Sequence, residues 1–211
     1  MTSPAFPRIK VCGITSVEDA HTAVAAGADA IGLVFYARSP RCVTVGQAAA
    51  IARAVGPFVT TVGLFVDASR AEMEAVLAQV PLQVLQFHGD ESSAFCASFQ
   101  RPFIKALRMA EGVDIPAVER EFAEAGAVGL LLDSYSPAAP GGTGETFGWE
   151  RIPAERRVPL ILAGGLTPEN VTAAVRQVKP YAVDVSSGVE IAPGRKDSAR
   201  IAAFVNAAKK L

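Results

Sequence analysis

No apolar run in the 211 residues approaches the roughly 20 that a membrane-spanning helix needs. Met1 to Lys10 has neither the basic start nor the apolar stretch of a secretory signal, so a soluble, cytoplasmic protein is expected. Neither sign of charge is in excess. The 20 Lys and Arg are interspersed with 21 Asp and Glu, which leaves no basic footprint for a nucleic-acid backbone and no polybasic patch for an anionic membrane. Neither nucleic acid nor a membrane is an expected partner. Cysteine is scarce: Cys12, Cys42 and Cys96 are odd in number and widely spaced in a chain long enough to fold without staples, so they read as free thiols in a reducing compartment. No group of His, Cys and acidic residues has metal-ligand spacing, and no nucleotide or dinucleotide fingerprint occurs. Neither a metal nor an organic cofactor is expected.

What the chain does have is an eightfold alternation. Short, almost continuously apolar runs recur at Arg8–Cys12, Ala30–Phe35, Val59–Val66, Val84–His88, Phe103–Leu107, Gly129–Asp133, Leu160–Ala163 and Ala182–Val185. Continuous rather than alternating apolar character is how strands of a parallel sheet covered by helices read. Between them lie amphipathic, Ala-rich stretches at Val17–Ala26, Gln47–Val55, Ala71–Gln79, Ala117–Ala125, Glu169–Gln177 and Ser198–Ala208. Ser16 suits a helix N-cap, Pro168 a first turn, and Gly27 and Gly126 helix ends. Eight strand–helix units in this length fit an α/β fold of the closed (β/α)8 TIM-barrel type, one domain spanning residues 1–211, whereas an open doubly wound sheet would use five or six strands. The one long irregular stretch, Ser134–Trp149, then follows the sixth strand on the catalytic face.

Active sites of such barrels form at the C-terminal strand ends, which selects the candidates. Cys12 ends the first strand and shares a face with Lys10; it reads either as a small buried hydrophobe or as a thiol whose pKa a neighbouring cation lowers. Asp133 ends the sixth and is either a loop or helix cap or a desolvated acid or base. Together they offer an acid–base pair from opposite parts of the wall. Gly164 and Gly165 after strand seven, and Ser186, Ser187 and Gly188 after strand eight, stand at the usual phosphate cradle of this fold, or else form tight turns. Gly142 and Thr143, within Gly141–Gly144, could close over the same phosphate or simply permit bending. Arg41 could hold a carboxylate by paired hydrogen bonds, or be a solvated surface side chain. Gln86 and His88 share a face at the end of strand four, where His88 either contacts ligand or caps the helix that follows at Asp90 and Glu91. His21 reads as an exposed helix residue. Lys10, Lys105 and Asp184 are polar residues within apolar strands, and Lys10 and Asp184, on neighbouring strands, could form a buried ion pair that is structural or that stabilises the Cys12 thiolate.

These motifs taken together resemble the phosphoribosylanthranilate isomerase family of tryptophan biosynthesis. The resemblance rests on Ile9–Thr15, on Gly32–Tyr36 through Ser39-Pro40-Arg41, and on Gln86–Gly89. It continues in Leu132-Asp133, in Gly141–Gly144 through Phe147 and Trp149, in Gly164–Leu166, and in Asp184–Glu190 with Gly194 and Lys196-Asp197. It spans nearly the whole chain in order. Departures are small: Ala37 for a frequent Pro, Arg38 for a frequent Lys, and Gly148 for the usual Asp before Trp149. The family's reaction is an Amadori rearrangement of N-(5-phosphoribosyl)anthranilate to 1-(2-carboxyphenylamino)-1-deoxyribulose 5-phosphate. The resemblance implies that Asp133 is the general acid at the furanose ring oxygen and Cys12 the general base at C2. It further implies that Arg41 holds the anthranilate carboxylate and that the loops around Gly165 and Ser187 hold the phosphate. The implied partner is a small-molecule substrate with phosphate and carboxylate, bound by a monomer or homodimer.

Two other readings fit the same sequence. One is a lyase or aldolase using Lys105 or Lys10 as an imine-forming amine. The other is a non-catalytic barrel that binds a sugar phosphate, since a fold alone does not prove turnover. A related isomerase for the histidine-pathway aminoaldose would use two carboxylates, and Cys12 stands where the first would be.

Overall fold

The computed structural model of the chain describes residues 6–134 and 149–210. Eight parallel strands close into one barrel in chain order: β1 (Arg8–Cys12), β2 (Ala30–Val34), β3 (Thr60–Phe65), β4 (Val84–Phe87), β5 (Phe103–Met109), β6 (Gly129–Ser134), β7 (Leu160–Leu162) and β8 (Ala182–Val185). Around them run α1 (Val17–Ala25), α2 (Val45–Ala54), α3 (Arg70–Leu77), α4 (Ser93–Ala97), α5 (Ile115–Glu124), α6 (Val171–Val178) and α7 (Ser198–Ala208). A short antiparallel hairpin, β9 (Glu190–Ala192) and β10 (Arg195–Lys196), follows β8.

Local sequence accounts for most helix starts. Ser16 accepts from the Asp19 N–H, and Thr44 and Ser69 form reciprocal capping boxes with Gln47 and Glu72, satisfying donors that the first turn leaves over. Pro168, expected in a first turn, is instead two residues outside α6. Asn170 occupies the N-cap position, with its Nδ2 donating to the Gly165 carbonyl and its Oδ1 accepting from Thr167 N–H, so Thr167-Pro168-Glu169 form a turn before the helix. The five-residue α4 is absent from the sequence reading because it is too short to show a period of 3.6.

Strand alternation divides the core in two. Outward residues such as Ile9, Val11, Leu130 and Leu132 pack with the helices in one large cluster, while Ile104, Ala106, Leu131, Ile161, Ala163 and Ala182 fill the barrel interior. Fully burying such side chains is worth about 1.5–3 kcal/mol for each large aliphatic one. The interior layer nearest the C-terminal ends changes character: it contains Cys12, Gln86, Asp133 and Asp184, all buried. A filled apolar barrel thus forms the floor on which a polar mouth rests.

Candidate active site

The mouth is a cavity of about 360 Å³. Cys12 and Asp133 both line it, so the two groups drawn from strands one and six face one shared space. Glycine makes that arrangement possible. A Cβ on Gly32, which pairs with Cys12 across β1 and β2, would lie 2.7 Å from the Cys12 Sγ and 3.1 Å from the Lys10 Nζ. A Cβ on Gly13 would lie 2.5 Å from the Cδ of Arg41.

Lys10 and Asp184 sit opposite one another in the β1–β8 register and form the anticipated ion pair, Nζ to Oδ2 at 3.0 Å with both side chains buried. Burial alone would lower the Lys10 pKa, but Asp184 and then Cys12 outweigh it, so the ammonium is held above the ordinary lysine range. Burial pushes the Cys12 thiol up, and Lys10, with Lys196 behind it, pulls part of the way back. In the free cavity Cys12 therefore rests as a thiol. Asp184 also lines the cavity, and its Oδ1, like the Oε1 of Gln86, is buried with no hydrogen-bond partner among the described residues. Two buried acceptors without donors suit a ligand that brings hydroxyl groups.

His88 does not cap the following helix, which starts at Ser93 with Ser92 as its cap. Its Nε2 lies 3.1 Å from Asp133 Oδ2 and its Nδ1 3.1 Å from Gln86 Nε2. The Gln86 amide donates, so Nδ1 accepts and the ring proton sits on Nε2, where it faces the carboxylate. His21, as expected, is exposed on α1.

Arg41 lines the cavity, but it is not a free guanidinium. Its Nε and Nη2 donate to Glu190 Oε1 and Oε2 at 2.8 and 2.7 Å. Burial would raise the Glu190 pKa, yet Arg41 and Lys196 outweigh it and keep the carboxylate below its usual range. Part of the wall is apolar: Cys12, Val34 and Leu64 pack with Tyr36 and Val66 and form a shelf in the cavity. Arg38 and Arg108 add two exposed cations at the rim.

Gly164, Gly165, Ser186 and Ser187 also line the cavity, and Ser186 Oγ and Arg41 Cδ both approach Gly13. Gly188 follows them, its Cα against Leu166 and Thr167, where a side chain would collide with the Leu166 carbonyl, so it packs loop eight against loop seven. Gly142 and Thr143 lie outside the described residues. Lys105 is nowhere on the cavity wall. It points outward and bonds Glu91 Oε2 at 2.8 Å and the Gly89 carbonyl at 2.7 Å.

Sequence reasoning missed Glu190, Lys196, Arg38, Arg108 and Tyr36 as site residues, and treated Asp184 only as half of an ion pair. Asp184 carried a usable signal, since it stands two residues before Ser186 on a strand whose end faces the mouth. Glu190 and Lys196 stand within the segments that carry the family resemblance, but their relation to Arg41 is created by the hairpin after β8.

A closed (β/α)8 barrel whose C-terminal mouth gathers Cys12 and Asp133 in one cavity, with no lysine among the described residues lining it, has the build of a barrel enzyme. Comparison with known proteins then specifies which. Residues 9–207 match the family described as N-(5'phosphoribosyl)anthranilate (PRA) isomerase, and the chain belongs to that family. It is 60% identical over 202 residues to the N-(5'-phosphoribosyl)anthranilate isomerase of Pseudomonas aeruginosa (strain UCBPP-PA14), covering 96% of this chain and 95% of the relative. The crystal structure of phosphoribosyl anthranilate isomerase from Thermotoga maritima superposes with a TM-score of 0.83 at 38% identity, over 97% of this chain and all of that one. A second such structure, in complex with reduced 1-(o-carboxyphenylamino)-1-deoxyribulose 5-phosphate, gives 0.78 at 36% identity, over 97% of this chain and 100% of the other.

Proposed function

We propose that this chain converts N-(5-phosphoribosyl)anthranilate into 1-(2-carboxyphenylamino)-1-deoxyribulose 5-phosphate, with Asp133 as general acid and Cys12 as general base. Asp133 protonates the furanose ring oxygen, the C1–O bond opens, and the nitrogen lone pair forms a protonated imine. Cys12 removes the proton from C2 and gives an enolamine, which tautomerises to the ketone. No atom is gained or lost, so the reaction is an isomerisation of the tryptophan-biosynthetic type. General acid–base transfer of this kind contributes about 10²- to 10⁴-fold, and anchoring a substrate anionic at both ends supplies alignment.

The observation that carries the reading is the common cavity of Cys12 and Asp133, whose wall also holds Arg41, the apolar shelf, Gly164, Gly165, Ser186 and Ser187. Arg41 takes the carboxylate, the shelf takes the aromatic ring, and loops seven and eight take the phosphate. Gly142 and Thr143 are assigned to the same phosphate. Asp184 Oδ1 and Gln86 Oε1 accept from sugar hydroxyls, and His88 orients Asp133.

The proton inventory follows from the resting state. Catalysis needs a Cys12 thiolate together with a protonated Asp133, which holds the same single proton as a thiol facing a carboxylate. Lys10 favours the productive arrangement because its positive charge lies beside the sulfur. The imine-forming alternative has little support, because Lys105 is off the wall and Lys10 is committed to Asp184.

The protein works as one barrel over residues 1–211, in the cytoplasm, as a monomer or homodimer, without nucleic acid or membrane. No helix among the described residues is long and apolar enough to cross a membrane. The deciding test is a fluorescence assay that follows loss of freshly generated phosphoribosylanthranilate with purified protein. Turnover supports the proposal, and its absence from folded protein overturns it.

A further inference from the structure

Glu190 and Lys196 sit behind Arg41, off the cavity wall, and nothing in the acid–base chemistry uses them. Glu190 grips one edge of the guanidinium through Nε and Nη2, leaving the Nη1 edge for a ligand. An arginine paired in this way with a carboxylate is formally neutral, and Glu190 would repel an incoming carboxylate. Lys196 changes that balance. Its Nζ lies 2.8 Å from Glu190 Oε1, 3.1 Å from the Ser186 carbonyl and 3.5 Å from Ser186 Oγ, and its side chain is fully buried. Burial draws the amine below the ordinary lysine range, and Glu190 offsets this only in part. Three oxygens around Nζ match the three N–H groups of an ammonium, whereas a neutral amine has only two.

The hairpin after β8 builds this arrangement. The Gly194 carbonyl accepts from Thr15 Oγ1 at 2.6 Å, and Asp197 caps α7, which together fix Lys196 between them. Two cations therefore enclose one carboxylate, and the cluster keeps a single positive charge of which Arg41 is the part exposed to the cavity.

We infer that Lys196 is a positioning residue that sets the charge of the carboxylate grip, cancelling Glu190 so that Arg41 presents a full positive charge to an aromatic carboxylate. This rests on the reading of Arg41 as that grip. Glu190 fixes the direction of the guanidinium and Lys196 fixes its strength, so affinity for the carboxylate is decided partly by a residue the ligand never touches.

The test uses a non-reacting ligand, reduced 1-(2-carboxyphenylamino)-1-deoxyribulose 5-phosphate, beside its analogue lacking the carboxyl group, with Kd measured on the intact protein. Lys196→Met is expected to weaken the carboxylated ligand about tenfold more than the carboxyl-free one, since both ligands share whatever is lost through Ser186. The double variant Glu190→Gln/Lys196→Met, which restores one net positive charge, is expected to return to within about threefold of the parent. Equal weakening of both ligands, no weakening, or a double variant as weak as the single one would each overturn the inference. Should Lys196→Met not fold, Glu190→Gln compared with the double variant reads the same charge, with the same tenfold difference expected. Arg41→Ala separates the two levels: if it leaves the preference for the carboxylated ligand intact, the grip reading itself is wrong, whatever Lys196 does.

Discussion

Lys10 and Lys105 each stand third in an apolar strand, each is 5% exposed, and each holds a carboxylate, at 3.0 and 2.8 Å. They nevertheless belong to different parts of the molecule. Lys10 faces inward, beneath Cys12 and beside Asp184, and its charge reaches the reacting groups. Lys105 faces outward, 5.4 Å from the ring centroid of Phe122 on α5, and ties down the β4–α4 loop through Glu91, whose other oxygen accepts from the Asp67 and Gly89 N–H groups. The same residue type in the same local pattern stands beside the cavity thiol in one strand and against the helix layer in the other. Only the phase of the strand separates them, since one step along it reverses the facing of every side chain.

The largest effects expected are at the inner groups. Cys12→Ser and Asp133→Asn should each lower kcat by about 10²- to 10⁴-fold with KM changed little, read by steady-state fluorescence. Undiminished turnover in Cys12→Ser would remove the base assignment. Next comes Lys105→Met, which strands the Glu91 carboxylate and should cost about 3–5 kcal/mol in urea unfolding while the folded fraction keeps its kcat. A fall in kcat per folded molecule would erase the distinction between the two lysines. Arg41→Ala should raise KM by about 10- to 100-fold with a smaller change in kcat.

Lys10→Met sharpens the contrast through pH. Lys10 lowers the thiol pKa that burial raises, so its removal should move the rise of iodoacetamide alkylation at Cys12 to higher pH, whereas Lys105→Met should leave that rise in place. An effect confined to alkaline pH is expected at Cys96, whose buried thiol is pushed up to about 12 from 9.0. A raised thiol stabilises the fold fully below its unfolded pKa and loses that contribution as pH climbs from 9.0 to about 12. Relative to Cys96→Ala, the parent's urea midpoint should therefore fall more steeply across that window.

Much of this was legible in the sequence. The barrel was readable because eight continuously apolar runs, spaced by amphipathic ones, have few other ways to bury both faces of a sheet. Cys12 and Asp133 were readable because each is the last residue of such a run, and the Lys10–Asp184 pair because strands one and eight must meet. The phase of Phe103–Leu107 was not, since apolar residues occupy both of its faces and nothing local distinguishes inside from outside. The engagement of Arg41 by Glu190 was hidden as well, because those residues are 149 positions apart and meet only through the β9–β10 hairpin. The packing of Gly188 under the Leu166 carbonyl was hidden too, because a glycine that opens a phosphate loop and a glycine under a neighbouring carbonyl look the same without the neighbour.

The seam between β1 and β8 has a consequence for biosynthesis. The thiol comes from the first strand synthesised, the carboxyl group from the sixth, and Lys10 meets its counter-ion only when the last strand arrives beside it. Until β8 is made, β1 lacks a neighbour on that side and Lys10 lacks its counter-ion, so turnover is expected only after the ring shuts. Onset of turnover during translation would report that closure in one step, with no partially competent species before it.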